Sequence, residues 1–513
     1  MEQKNFILAF LLSAIFLVVW SIFVVPRFSP PAPLPTPPAQ TSTAVTDVSS
    51  QPAELEPAHA QQSNVPAPES ILRDEQNEVV VSPEGGAIRD WRLKTKGHEI
   101  DLVLNPDADV LPLATPADGP FEVSQRDHQV SMTALLSNGL RLTKTLTLSQ
   151  KGHLHDLTLR FDNLSYKPVE LKNWEIGWGP GLGTSESEHK DNPRMTRALT
   201  MGKLKAHYMK EGEYPDIGTW AGIDNRYFLV VFFPPPDIHP IFDVKGTKLD
   251  TRVALRHTLQ VPAHGQVTLN YQMYVGPKGY TQLQKYGKQL EEAVDFGTFS
   301  PLGKIILSAI YWLQGLTGNY GWAIVILTIA LQLLMMPLTL KSFKAQLAMK
   351  KLQPQIAALQ AQYKNDPKRL NIEMMNIYKK TGTNPFGGCL PMLLQLPIFW
   401  ALFTTLRNAY ELRGAPFVGW IHDLSAADPY HILPIVMGAA MFGQQRMSGA
   451  VTDPTQKQMM VMMPVMFTVM FFNFPAGLVL YWLTNNLLTT AFQWGFQRYR
   501  AETPRVIDAK IVK

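Results

Sequence analysis

Hydrophobic positions along the chain follow three different patterns. Phe6 to Val25 is a charge-free apolar run preceded by Lys4, long enough to cross a bilayer, which takes about 20 residues. It ends Phe-Val-Val-Pro-Arg with no Ala-x-Ala cleavage site; the expectation is an uncleaved anchor with its N-terminus inside. From about residue 73 to 276 the period is two. Leu140, Leu142, Leu146 and Leu148 alternate with polar residues, Gln150-Lys151-Gly152 reads as a turn, and Leu157, Leu159 and Phe161 alternate again. Val267, Leu269, Tyr271, Met273 and Val275 repeat the pattern. Alternation punctuated by Gly, Pro and Asn predicts half-buried antiparallel strands, and a stretch this long suits a large β-sandwich.

After about residue 300 the pattern turns helical. Leu302, Ile306, Ile310 and Leu313 share one face of the segment Pro301 to Leu316, too short to span; it predicts an amphipathic helix at the membrane interface, a buried helix of the β-domain being the alternative. Five apolar stretches follow: Tyr320 to Leu340, Cys389 to about Leu406, Tyr430 to between Phe442 and Gln445, Met459 to Phe474, and Ala476 to about Trp494. Pro475 separates the last two, since proline lacks a donor and breaks the helix. With the N-terminal run, this predicts a helical membrane protein of six transmembrane helices plus an all-β sandwich domain.

Composition sharpens that organisation. Residues 27–72 are rich in Pro, Ala, Ser, Thr and Gln, a tether that buries little apolar surface. The predicted divisions are therefore an anchor at 1–26, the tether at 27–72, the β-domain at 73–276, a linker and interfacial helix at 277–318, a helical core at 319–500 containing a hairpin at 341–388, and a tail at 501–513. The lone Cys389 excludes an intrachain disulfide and a CxxC metal site. HExxH, GxSxG and GxxxxGK[ST] motifs are absent. No cofactor or metal is expected. Glu186, Glu188 and His189 have poor ligand spacing and read as a solvated loop.

Net charge is +5, but its placement says more. The loop 341–388 carries Lys341, Lys344, Lys350, Lys351, Lys364, Lys368, Arg369, Lys379 and Lys380 against Asp366 and Glu373. The next loop, with Arg407, Glu411, Arg413, Asp423 and Asp428, has no basic excess, and the tail carries Arg498, Arg500 and Arg505. With both termini and the basic loop inside and the β-domain outside, all three obey the positive-inside rule. Counting 301–316 as a span inverts every loop. Inside the basic loop, Ile356, Leu359 and Tyr363 share a face, as do Leu370, Met374 and Ile377. Asp366-Pro367 suits a helix start and Gly382 a helix end. Two short antiparallel helices are predicted. Their cations fit either lipid headgroups or a docking partner, a choice that charge alone leaves open.

Several motifs between about 301 and 500 resemble the YidC/Oxa membrane insertase family. They are Met336-Pro337-Leu338-Thr339, Leu352-Gln353-Pro354, Asn384-Pro385-Phe386-Gly387-Gly388-Cys389, Gln395-Leu396-Pro397-Ile398-Phe399, Trp420-Ile421-His422-Asp423-Leu424, Asp428-Pro429-Tyr430 and Phe474-Pro475-Ala476-Gly477-Leu478. Anchor, tether and β-domain match the Gram-negative branch by layout. The resemblance implies a bacterial inner-membrane protein whose five core helices enclose a hydrophilic groove open to cytoplasm and lipid. Newly made membrane proteins would be its clients, alone or with the SecYEG translocon and accessory Sec proteins. The ribosome and the signal recognition particle receptor would meet the hairpin at Lys350, Lys351, Lys364, Lys368, Arg369, Lys379 and Lys380. DNA is not an expected partner. Groove positions by this reading are Gln332, Thr328, Tyr481, Trp482, Asn485, Phe399 and Phe471. The sequence departs from the family at Gln332, where an Arg is usual. Each position also has an ordinary role: Thr328 as a back-bonding helix residue, the aromatics as packing, and Asn485 and Asn486 in interhelical hydrogen bonds. Methionines from Met437 to Met470 suit a surface for varied apolar helices, or plain lipid-facing packing.

A transporter would be expected to show acidic residues within its spans or inverted repeats, and neither is found. A tethered binding module would need one span. No set of catalytic residues emerges, so an enzyme is the least supported class.

Overall fold

The computed structural model describes residues 69–95, 98–215, 217–364, 366–382, 390–448 and 454–502. The expected anchor, nearly all of the expected tether, the motif Asn384 to Cys389 and the tail from 503 onward lie outside the described residues.

Alternation along 70–277 produces three antiparallel sheets. The first is a meander of β1 (Ser70–Arg73), β2 (Asn77–Ser82), β3 (Ala87–Thr95) and β4 (His98–Asp101). The second has nine strands. It begins with β5 (Glu122–Arg126), β6 (Gln129–Leu135), β7 (Leu140–Thr147) and β8 (Leu154–Asn163), then passes to β17 (Gln266–Pro277), β14 (Phe228–Phe233), β13 (Ala221–Asp224), β10 (Arg197–Met201) and β11 (Ala206–Met209). The third runs β12 (Gly212–Tyr214), β15 (Ile241–Lys245), β16 (Arg252–Val261) and β9 (Val169–Trp178). Register pairs the expected inward residues: Leu142 with Phe161, Leu146 with Leu157, and Leu269 with Leu159. All six are buried in one apolar core with Trp91, Phe242 and Leu255.

Strand β14, Phe-Leu-Val-Val-Phe-Phe, has no alternation because both of its faces are covered. Phe228, Val230 and Phe232 join the sandwich core. Leu229, Val231 and Phe233 join a second core shared with the helices. The β-domain thus continues into the helical region through one strand.

Several charged groups buried in the β-domain are held by specific partners. Lys144, fully buried, donates to the carbonyls of Gly85, Gly86 and Leu113 at 2.8, 3.0 and 2.6 Å. Burial drives its ammonium toward deprotonation, while three acceptors favour three N–H donors. Lys278 donates to Asp224 at 2.7 Å and to the Asn225 carbonyl at 2.6 Å. Arg197 reaches Asp224 at 3.6 Å and Asp295 at 3.5 Å.

The helical region starts with α1 (Tyr280–Tyr286) and α2 (Ser300–Thr317). Ile306, Leu307 and Ile310 of α2 are buried, while Ile305, Trp312 and Leu316, also apolar, are exposed, so one apolar face packs inward and a second is left outside. Its buried face meets two later helices, α3 (Tyr320–Gln362) and α5 (Leu390–Asn408), rather than the β-core alone. Between those two lies α4 (Pro367–Thr381), and after them come α6 (Ile432–Ser448), α7 (Pro454–Phe471) and α8 (Ala476–Glu502). Asn319 caps α3 by accepting from the N–H groups of Gly321 and Trp322.

The basic loop differs from the expected pair of short helices. Its first arm is the continuation of α3, one helix of 43 residues containing Pro337 and Pro354. Each proline removes one N–H, but the Ala, Leu, Gln and Lys between and after them favour helix, and the onset of charge does not end it. The second arm, α4, starts as expected: Asp366 accepts from the Arg369 N–H at 3.0 Å, and Gly382 closes it at φ 62°. Among the described residues, α3 is the one helix both long and apolar enough to cross a membrane. The last helix, α8, is long, but carries the polar stripe described below.

The loop after α5 lies against the β-domain. Arg226 donates to the Arg407 carbonyl at 2.9 and 2.7 Å. Arg413 pairs with Glu188 at 2.5 Å, both largely buried. Glu188 is therefore not in the solvated loop expected for it; a charge partner 225 residues away holds it.

Candidate functional site: a polar seam between two helices

Helices α3 and α8 pack side by side, and polar residues fall on the facing stripes. On α8 the repeat is Tyr481, Asn485, Thr489, Gln493 and Gln497, one residue every four, a ridge in which successive residues are neighbours and which winds about 40° per step. On α3 it is Thr328, Gln332, Thr339, Ser342 and Gln346. Gln332, 6 % exposed, donates from Nε2 to Thr489 Oγ1 at 3.1 Å. Thr489 in turn donates to the Asn485 carbonyl at 2.8 Å. Thr328 donates to the Ile324 carbonyl at 2.7 Å, so its hydroxyl is satisfied within its own helix. Gln395 of α5 donates to the Tyr481 hydroxyl at 3.4 Å.

Thr328, Gln332, Gln395, Tyr481 and Asn485 surround a small hollow, with Ile398 on its apolar side. Four of the expected groove residues, Gln332, Thr328, Tyr481 and Asn485, thus meet at one place. The other three lie together beside it. Trp482 contacts Phe399 edge-on at 4.9 Å and Phe471 at 5.6 Å between ring centroids, with Phe467 stacked at 5.9 Å. Phe471 is fully buried and does not line the hollow. Asn486, one residue round the helix from Asn485, is buried, and its Nδ2 has no partner among the described residues.

Gln395 and Thr489 complete the seam but escape sequence reasoning. Gln395 does leave a signal, as an amide flanked on both sides by apolar residues. Thr489 is found by counting four residues on from Asn485.

At the end of the seam nearest the β-domain, three of the motifs form one clasp. Asp428, 1 % exposed, accepts from Trp420 Nε1 at 3.0 Å and from the N–H groups of Tyr430 and Leu433 at 3.0 and 2.7 Å. The Ala476 and Gly477 N–H groups donate to the carbonyls of Ala426 and Leu424 at 2.7 and 2.9 Å. At the opposite end lie the hairpin cations. Lys350, Lys351, Lys364, Lys368, Arg369, Lys379 and Lys380 are all exposed. Among the described residues no group of three or more His, Cys, Asp and Glu is placed to hold a metal.

The arrangement is a polar surface set between largely apolar helices. The family described as 60Kd inner membrane protein matches residues 312–503, and the YidC periplasmic domain matches 98–312. A membrane protein insertase YidC from Endomicrobium trichonymphae is 41% identical over 454 residues, covering 85% of this chain and 86% of the relative. Another from Oleidesulfovibrio alaskensis is 34% identical over 539 residues, covering 97% and 100%. A crystal structure of an active YidC insertase with its first transmembrane domain resolved is 20% identical, with a TM-score of 0.40, over 83% of this chain and 92% of that one.

The chain belongs to the YidC family of membrane protein insertases. It combines the family's β-rich periplasmic domain with its helical C-terminal region.

Proposed function

We propose that this chain inserts newly made membrane proteins into the bacterial inner membrane and helps them fold. The α3–α8 seam shelters the polar flank of a client while its apolar segment slides out into lipid. The observation that carries the reading is the convergence of Gln332, Thr328, Gln395, Tyr481 and Asn485 on one hollow between apolar helices. A polar group left unsatisfied at mid-bilayer costs several kcal/mol; a hydrated seam shortens the dry path and lowers that cost. The contacts of Gln332 are neutral hydrogen bonds, so hydration and hydrogen bonding carry the function. The aromatic cluster of Trp482, Phe399 and Phe471 forms its apolar wall.

In this reading there are six spans with both termini in the cytoplasm. The clasp around Asp428 lies on the outer side, since its loop touches the β-domain. The hairpin lies in the cytoplasm, where Lys350, Lys351, Lys364, Lys368, Arg369, Lys379 and Lys380 meet the ribosome or the signal recognition particle receptor. SecYEG and its accessory proteins are the partners for larger clients.

The test is reconstitution of the purified chain alone into liposomes, with a short single-span client whose translocated tail is polar. Protease protection of the tail well above empty liposomes is expected. No protection, while a relative carrying the groove Arg is active in the same assay, would overturn autonomous insertion and leave a Sec-dependent folding chaperone.

A further inference from the structure

The unbroken α3 changes where positive charge meets the seam. Gln332 and Lys350 are eighteen residues apart, five full turns, so they share one face, about 27 Å apart along the axis. Lys341, nine residues from Gln332, lies on the opposite face; Lys344 and Lys351 lie about a third of a turn off. From Thr328 to Gln346 the facing stripe is neutral, and so is its partner from Tyr481 to Gln497. Lys350 is thus the first cation that a group travelling along the seam encounters.

A second, shallow depression opens there. Gln346 and Lys350 of α3 and Gln493 and Gln497 of α8 line it, over an apolar floor in which the Phe343 and Phe496 rings lie 6.0 Å apart. Gln497 also donates to the Met447 carbonyl at 3.3 Å, which brings the end of α6, with its exposed Arg446, to the same mouth. No carboxylate lines the depression among the described residues. The amide donors are engaged within the protein, Gln346 to Ser342 Oγ at 3.3 Å and Gln497 to Met447, which leaves their side-chain oxygens as acceptors beside the exposed Lys350 ammonium. Such a mouth suits an acidic peptide segment, with its carboxylate on the ammonium, its backbone N–H groups on the amide oxygens and an apolar neighbour on the Phe floor.

We propose that this mouth is a client-binding subsite for acidic tails, with Lys350 as its specificity-determining residue. The proposal rests on the insertase reading above. The seam beyond the mouth is neutral and handles any polar flank. Selection between acidic and neutral tails takes place at the entrance, before the tail enters the bilayer.

The experiment uses the full chain in liposomes of phosphatidylcholine alone or with phosphatidylglycerol. Two clients are compared, identical except that the tail carries two Asp or two Asn. Lys350→Gln is expected to lower protection of the Asp tail about two- to fivefold, the range for an exposed ion pair, and to leave the Asn tail unchanged. Lys341→Gln should move neither, and Lys350→Arg should restore the Asp tail. Equal loss for both tails, or loss for neither, would overturn the subsite. A loss confined to vesicles containing phosphatidylglycerol would also overturn it, assigning Lys350 to lipid headgroups. If the unaltered chain protects neither tail, the insertase reading itself fails, a result distinct from all of these.

Discussion

The β-domain and the α3–α8 seam both bury polar groups, and they do so in opposite ways. In the β-domain the buried groups are charged and fixed by several partners: Lys144 by three carbonyls, Lys278 by Asp224 and a carbonyl. In the seam they are neutral and lightly held, as Gln332 is by its bond to Thr489, beside a small hollow. A buried charge that loses its partner costs about 3–5 kcal/mol, whereas a neutral hydrogen bond is worth about 1 kcal/mol net. The first arrangement locks a structure. The second lets a partner be exchanged for water or for a client at little cost.

The comparison breaks most visibly at Asp224. Asp224→Ala strands Lys278 and removes one partner of Arg197, and should destabilise the β-domain by about 3–5 kcal/mol. Hydrogen exchange of β10 and β13 in the solubilised full chain would read this. A loss below about 1 kcal/mol would mean that Lys278 sheds its proton and needs no fixed partner.

Acid should come next. Burial depresses His153 and His257 to about 4 and His155 to about 3, all from 6.5. The unfolded chain therefore binds protons before the folded one, and stability is lost as pH falls from 6.5 toward 4. Each tenfold difference in proton affinity between the two states is worth about 1.4 kcal/mol. Asp101, raised to about 6 mainly by burial, acts the other way, because the folded state takes up its proton first. Three histidines outweigh one carboxyl, so melting temperature should drop between pH 6.5 and 4.5. A rise over that range would refute the account, and His155→Gln should flatten the slope.

The smallest effect is expected in the seam. Gln332→Leu removes one neutral bond and fills the space with an apolar group, lowering tail protection about three- to fivefold for a bond of about 1 kcal/mol. Gln332→Ala leaves room for water and should cost less. Full insertion by both variants would remove any polar role for this residue.

Alternation makes β7, β8 and β17 legible, because a half-buried strand writes its two faces into the sequence. The uniform run of β14 hides its role, since covering both faces erases the period. Glu188 misleads for a different reason: its partner Arg413 sits in another domain, beyond any local pattern. In α3, Pro337 and the first lysines imitate a helix end, and only the three-dimensional course shows continuity. In the candidate site, Gln332 and Tyr481 stand out as polar groups in apolar spans. Which neighbour each one meets depends on helix pairing, which spacing along one helix does not encode.

An uninterrupted α3 is also a lever. Its 43 residues measure about 64 Å, roughly twice the hydrocarbon thickness of a bilayer. One arm packs beside α8, and the other leads to α4. A tilt of about 5° about the middle moves each end about 3 Å, the scale of one hydrogen bond. Whatever grips the hairpin therefore also adjusts how firmly α3 closes on α8, and the two missing N–H groups at Pro337 and Pro354 mark where the rod yields first.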